Sequence, residues 1–176
     1  MADLFCLFES MQALRLNGFT LTSGINETFV NAYKQDKFPE RFMFVMDNDK
    51  YQVHIWYDKY HSHSEDEAKE KNESFYILNV KKRPDIKMDL YEKKENGELI
   101  FLNCIAMDAK FRKLTNIHNR SYNNSTTEQL TGYTSFFYCG NNPTRAVFSN
   151  LSENREQYVM GSSELTVTIN EWVEGI

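Results

Sequence analysis

The chain has 176 residues, with 20 Lys and Arg against 25 Asp and Glu for a net charge of −5. That length suits one domain that encloses its own core without disulfide or metal staples, and 13 Phe with 10 Tyr exclude a disordered chain. No apolar run approaches the ~20 residues of a membrane span, and the acidic balance argues against coating nucleic acid through bulk charge while leaving room for a local basic patch.

The first predicted element is an amphipathic helix over residues 3–16, where Leu4, Leu7, Phe8, Met11 and Leu14 recur at helical spacing and Asn17-Gly18 supplies the stop. Phe29, Tyr33, Phe38, Phe42, Phe44 and Val45 predict a second short helix and a strand, turned at Asp47-Asn48-Asp49. Tyr51 to Tyr57 alternates and is rich in β-formers, which predicts a strand; His61 to Glu73 is dominated by acids and lysines and predicts a solvated loop. Further strands are expected at Phe75–Val80, Ile86–Tyr91 and Leu99–Met107, the last two joined at Asn96-Gly97, a strong hairpin signal. Leu130, Tyr133, Phe136 and Phe137 predict a helix; Ala146–Phe148 and Leu165–Ile169 predict strands. This order implies a single α/β domain over 1–176 with one central mixed sheet flanked by helices, and the abrupt start of the first helix suggests a piece of a longer protein.

Three cysteines, Cys6, Cys104 and Cys139, are odd in number, widely spaced and set among apolar residues, the pattern of reduced core thiols. The N-terminus lacks a basic stretch, and Glu9 and Gln12 interrupt its apolar residues, so it does not read as a signal peptide. Both features point to a cytoplasmic protein.

One constellation carries chemistry. Pro84-Asp85 opens a strand, and after the hairpin the apolar run Leu99–Met107 ends in Asp108-Ala109-Lys110. A hairpin sets the start of its first strand beside the end of its second, so two carboxylates and a lysine are expected at one end of the sheet. Mg²⁺ or Mn²⁺ suits such a site, since hard cations take carboxylate oxygens plus water and usually need only one or two protein carboxylates. Asp85, Asp108 and the Ala109 carbonyl are the candidate metal ligands. The expected chemistry is metal-assisted attack of water on a phosphodiester, with Lys110 orienting that water or stabilising developing charge.

These residues resemble the PD-(D/E)XK nuclease superfamily, whose signature is a Pro-Asp, a variable gap and an Asp/Glu-x-Lys on the next strand. Gln129-Leu-Thr-Gly-Tyr133 looks like the Gln-x-x-x-Tyr element of its RecB-like branch, and Arg83-Pro84-Asp85-Ile86 with Asp108-Ala109-Lys110-Phe111-Arg112 is similar to McrC-like restriction and phage-defence nuclease domains. The resemblance, spanning roughly Asp3 to Leu151, implies a restriction-endonuclease-like core and hydrolysis of DNA by an endonuclease or exonuclease in antiviral defence. It also implies a supporting role for Gln129 and Tyr133 beside the catalytic Asp85, Asp108 and Lys110. The family usually carries an acid on its first helix; here spacing favours Asp3 and residue type favours Glu9.

Charge distribution agrees with a nucleic-acid partner. Lys81, Lys82 and Arg83 precede the Pro-Asp pair, and Lys110, Arg112, Lys113 and Arg120 occupy a stretch without acids. Lys82, Arg83, Arg112, Lys113 and Arg120 are therefore the candidate DNA contacts. The net acidity predicts weak DNA binding by this domain alone, with target recognition supplied by a partner subunit, a further domain or a second copy. Simpler readings compete: Asp85 as a turn residue, Asp108 and Lys110 as a surface pair, Asp89 as a solvent-facing acid, Gln129 and Tyr133 as helix packing. The alternatives in function are a nuclease-like fold that binds nucleic acid or protein without cleaving it, and an acidic interaction protein with accidental motif matches. His61, His63, Glu65 and Asp66 are better read as loop residues than as a metal site.

Overall fold

Helix α1 (Ala2–Leu16) forms because Leu4, Leu7, Met11 and Leu14 make one buried stripe. Its buried Ser10 hydroxyl donates to the Cys6 carbonyl at 2.7 Å, which satisfies a polar group that would otherwise cost about 1–3 kcal/mol. The helix stops in a Schellman motif: Gly18 takes φ +83°, its N–H bonds Arg15 O at 3.0 Å, and Phe19 N–H reaches Leu14 O at 3.1 Å. The computed structural model describes residues 2–35, 42–78, 83–107, 136–139 and 162–175.

Strand β1 (Thr20–Ser23) follows, then α2 (Glu27–Gln35), β2 (Phe42–Asp47) and β3 (Tyr51–Tyr57). Asn26 caps α2 by accepting from Phe29 N–H at 3.0 Å. Between β1 and α2, Gly24 at φ +117° lies so close to β2 that a Cβ would come within 2.8 Å of the Phe44 Cα; only glycine fits. Asn48 makes the β2–β3 turn by accepting from Lys50 and Tyr51 N–H.

The chain then passes through α3 (Glu65–Glu70) and β4 (Phe75–Ile77) before the hairpin of β5 (Ile86–Lys93) and β6 (Leu99–Met107), followed by β7 (Phe136–Tyr138) and α4 (Ser162–Glu174). The main sheet runs β1-β2-β3-β5-β6, and β4 pairs with β7 in a second, two-stranded sheet. Gly97, at φ +84°, sits in the β5–β6 turn.

One face of the main sheet carries Phe42, Phe44, Met46, Val53, Ile55, Ile86, Met88, Leu90 and Ile105, packed in a common core with α1 and with Ile169 and Trp172 of α4. Each such side chain stabilises the fold by about 1.5–3 kcal/mol. The opposite face carries Trp56, Lys87, Asp89 and Cys104, and the strap of residues 58–77 lies across it.

The α/β class holds, with several corrections. Every pairing among the described strands is antiparallel rather than mixed, and Ala146–Phe148 lies outside the described residues. Leu165–Ile169 belongs to a helix, not a strand, because Ile169 and Trp172 at i and i+3 are both buried. Phe136 and Phe137 lie in a strand instead of a helix, with Phe137 stacked on Tyr76 at 5.2 Å.

Residues 61–73 are largely exposed, as expected, but they are neither all loop nor wholly solvated. His61 and Ser62 are buried, and Ser64 caps α3 by accepting from Glu67 N–H at 3.1 Å, while Glu67 accepts from His63 N–H. Ser64-x-x-Glu67 is a capping-box signal that the dense charge obscured. Among the described residues no helix is long and apolar enough to cross a membrane.

Candidate functional site at the β3–β5–β6 strand ends

Three strands meet at one end of the main sheet. Tyr57 at the end of β3 pairs with Ile86 at the start of β5, and Ile86 pairs with Met107 at the end of β6. Asp85 is thus one residue outward from the paired edge, half-buried behind the buried Pro84. Its carbonyl accepts a hydrogen bond from Asp58 N–H at 2.8 Å.

Asp58 is a site residue that motif reading does not find. It sits at φ +47°, a left-handed conformation uncommon outside glycine but tolerated by Asp and Asn. Its carboxylate accepts from Arg83 Nε at 2.9 Å, and the Arg83 guanidinium lies 4.2 Å from the centre of the Tyr60 ring. Asp58, Arg83 and Tyr60 therefore form a connected group beside Asp85. The signal available in sequence was that Tyr57 ends an alternating strand, so the next residue must lie at the sheet's end.

Of the other candidates, Glu9 is half-buried on the α1 face turned from Leu7, Met11 and Leu14. The Asp3 side chain lies outside the described part of α1. Asp108, Ala109, Lys110, Gln129, Tyr133, Lys82, Arg112, Lys113 and Arg120 also lie outside the described residues. Among the described residues no cluster of three or more His, Cys, Asp or Glu is arranged to hold a metal ion; the strand ends contribute the pair Asp58 and Asp85.

A second polar group lies deeper. Lys87 and Asp89, at 1% and 0% exposure, form a buried ion pair between the sheet and the strap, where Asp89 was expected to face solvent. Trp56 Nε1 donates to the Asp89 carboxylate at 2.9 Å, and the Lys87 ammonium lies 3.4 Å from the Phe75 ring centre. Nearby, Lys59 sits over Trp56 at 3.8 Å and pairs with Glu73, which accepts from Ser62 Oγ at 2.9 Å. Burial, reinforced by the Asp89 charge, pushes the Cys104 thiol up to about 12 despite the opposing pull of Lys87; the thiol stays protonated and is no nucleophile.

Burial, together with the Lys87, Lys59 and His63 charges, holds His61 neutral well below the ordinary histidine value of 6.5. Below pH 6.5 the unfolded chain thus binds a proton that the folded one refuses. The stability this group contributes is full above that pH and is lost as pH falls, by up to about 1.4 kcal/mol per pH unit. The urea midpoint is expected to drop between pH 7 and pH 5, and to drop less steeply in His61→Gln. Parallel slopes would show that other groups set the acid sensitivity.

No protein-family model matches the chain, nor does any curated protein or solved structure.

Proposed function

We propose that this chain is a metal-dependent nuclease domain that hydrolyses DNA phosphodiester bonds in restriction or anti-phage defence, on a restriction-endonuclease-like core. The observation that carries the reading is the β5–β6 register. Ile86 is paired with Met107, and in sequence Asp85 and Asp108 are the residues immediately outward from that pair. A register slip of one residue would turn every side chain of one strand to the other face, and the buried Ile86, Met88, Leu90 and Ile105 hold against it.

The donor set fits a hard divalent cation: Asp85, Asp108 and the Ala109 carbonyl all offer oxygen. Mg²⁺ or Mn²⁺ held there would lower the pKa of an attacking water and offset charge on the phosphate. Lys110 orients that water, and Gln129 with Tyr133 supports the catalytic group. Lys82, Arg83, Arg112, Lys113 and Arg120 bind the flanking phosphates. The net acidity elsewhere leaves tight, sequence-specific binding to a partner subunit, a further domain or a second copy in the cytoplasm.

The test is incubation of the purified chain with supercoiled plasmid and with single-stranded DNA in Mg²⁺, in Mn²⁺ and in EDTA. Cleavage that requires the metal is expected. DNA binding without cleavage under every metal condition would overturn the nuclease reading in favour of a nuclease-like binding module.

A further inference from the structure

The group formed by Asp58, Tyr60 and Arg83 is not among the proposed metal ligands, yet it is tied to Asp85 through the backbone. Arg83 stacks on Tyr60 at 4.2 Å while Asp58 holds its Nε at 2.9 Å. A guanidinium presents five N–H donors in one plane, so an arginine anchored through Nε keeps a fixed orientation in which a phosphate can be met edge-on. The Asp58 N–H donates to the Asp85 carbonyl at 2.8 Å, which ties this anchor to the start of β5.

Tyr60 adds a second element. It is 55% exposed although it is a large aromatic residue, and it stands among charged neighbours instead of in an apolar patch. An aromatic ring beside an anchored arginine is the combination that grips one nucleotide: the ring stacks on a base and the guanidinium pairs with its phosphate. Stacking of this kind requires a base that is not in a duplex.

We infer that Asp58, Arg83 and Tyr60 form a nucleotide grip beside Asp85 that holds an unpaired base and its phosphate, which makes single-stranded or frayed DNA the substrate class. This deepens the nuclease reading and rests on it. Tyr60 and Arg83 touch the strand; Asp58 acts through Arg83 as a positioning residue.

The test is fluorescence anisotropy in Ca²⁺ with labelled oligothymidine, the same strand carrying abasic sites, and a blunt duplex. Wild type is expected to bind oligothymidine about ten- to a hundredfold more tightly than the abasic strand. Tyr60→Ala abolishes that difference while binding the abasic strand as wild type does. Arg83→Ala lowers affinity for both strands and reduces the salt slope by about 0.7, the value for one lost phosphate contact on a single strand. Asp58→Asn keeps a residue that tolerates the left-handed backbone but removes the charge, and is expected to weaken binding several-fold with an intermediate slope.

A Tyr60→Ala protein that still prefers bases over abasic sites, or an Arg83→Ala protein with an unchanged salt slope, overturns the grip. Wild-type preference for the blunt duplex overturns it equally. All three results leave metal-dependent cleavage standing, because that is read separately on plasmid. A wild-type chain that neither binds nor cleaves any of these DNAs overturns the nuclease reading and the grip with it.

Discussion

Asp108→Ala and Lys110→Ala are each expected to reduce metal-dependent DNA cleavage by about 10²- to 10³-fold, the loss that follows removal of one preorganised charge from a hydrolytic site. The two variants should differ in cause. Asp108→Ala removes a carboxylate ligand, so its defect is eased by raising Mn²⁺. Lys110→Ala leaves both carboxylates and is not eased by metal. Both positions follow the end of β6 at Met107 in the sequence, and unfolding midpoints are expected to stay close to wild type. Initial cleavage rates of the three proteins, with metal titrations, decide the matter. Equal rates in all three would remove the proposed mechanism.

The second large effect concerns stability. Lys87→Met is expected to destabilise the fold by about 3–5 kcal/mol, because it leaves the buried Asp89 carboxylate without its counter-charge. Asp89 is fully buried, and the Trp56 indole N–H that donates to it supplies no net charge. For a domain of this size that loss lowers Tm by roughly 6–20 °C. The double variant Lys87→Met/Asp89→Leu should recover most of it, since a buried pair replaced by apolar groups of similar volume is often neutral, less about 1 kcal/mol for the Trp56 N–H that loses its acceptor. Urea unfolding of the wild type, both single variants and the double variant gives the coupling directly. A double variant as unstable as Lys87→Met would assign the loss to packing against Phe75 and the strap, not to the unpaired charge.

Periodicity made much of the fold legible. Alternation from Tyr51 to Tyr57 matches β3 residue for residue, and the stripe Leu4, Leu7, Met11, Leu14 matches α1. The turn at Asn48 and the hairpin at Asn96-Gly97 follow from their own side chains. Segments whose conformation is decided by distant partners were not legible. The run Leu165-Thr-Val-Thr-Ile169, β-branched from Thr166 onward, favours a strand by local preference, but that preference is worth less than about 1 kcal/mol per residue, and burial of Ile169 and Trp172 against α1 outweighs it.

The site shows the same division. Pro-Asp at a strand start located Asp85, whereas Asp58 belongs to no motif; the end of the Tyr51–Tyr57 alternation puts it at the sheet's end, and the β3–β5 register sets it beside Asp85. Lys87 and Asp89 alternate with apolar residues and so resemble a solvent face. They are buried because the strap of residues 58–77 crosses that face, held by Lys59–Glu73 and by the edge-to-face contact of Phe75 with Phe101 at 5.2 Å between ring centres. No local pattern on β5 announces that cover. Charge density in residues 61–73 suggested solvation, but Glu73 and Lys59 spend their charges on each other, at 5% and 7% exposure.

The most direct measurement is a crystal structure of the wild-type chain grown with Mn²⁺ and recorded at the manganese absorption edge. An anomalous peak within coordination distance of the Asp85 and Asp108 carboxylates is the predicted result. Carboxylates too far apart to share an ion, with no peak between them at saturating Mn²⁺, would contradict the account.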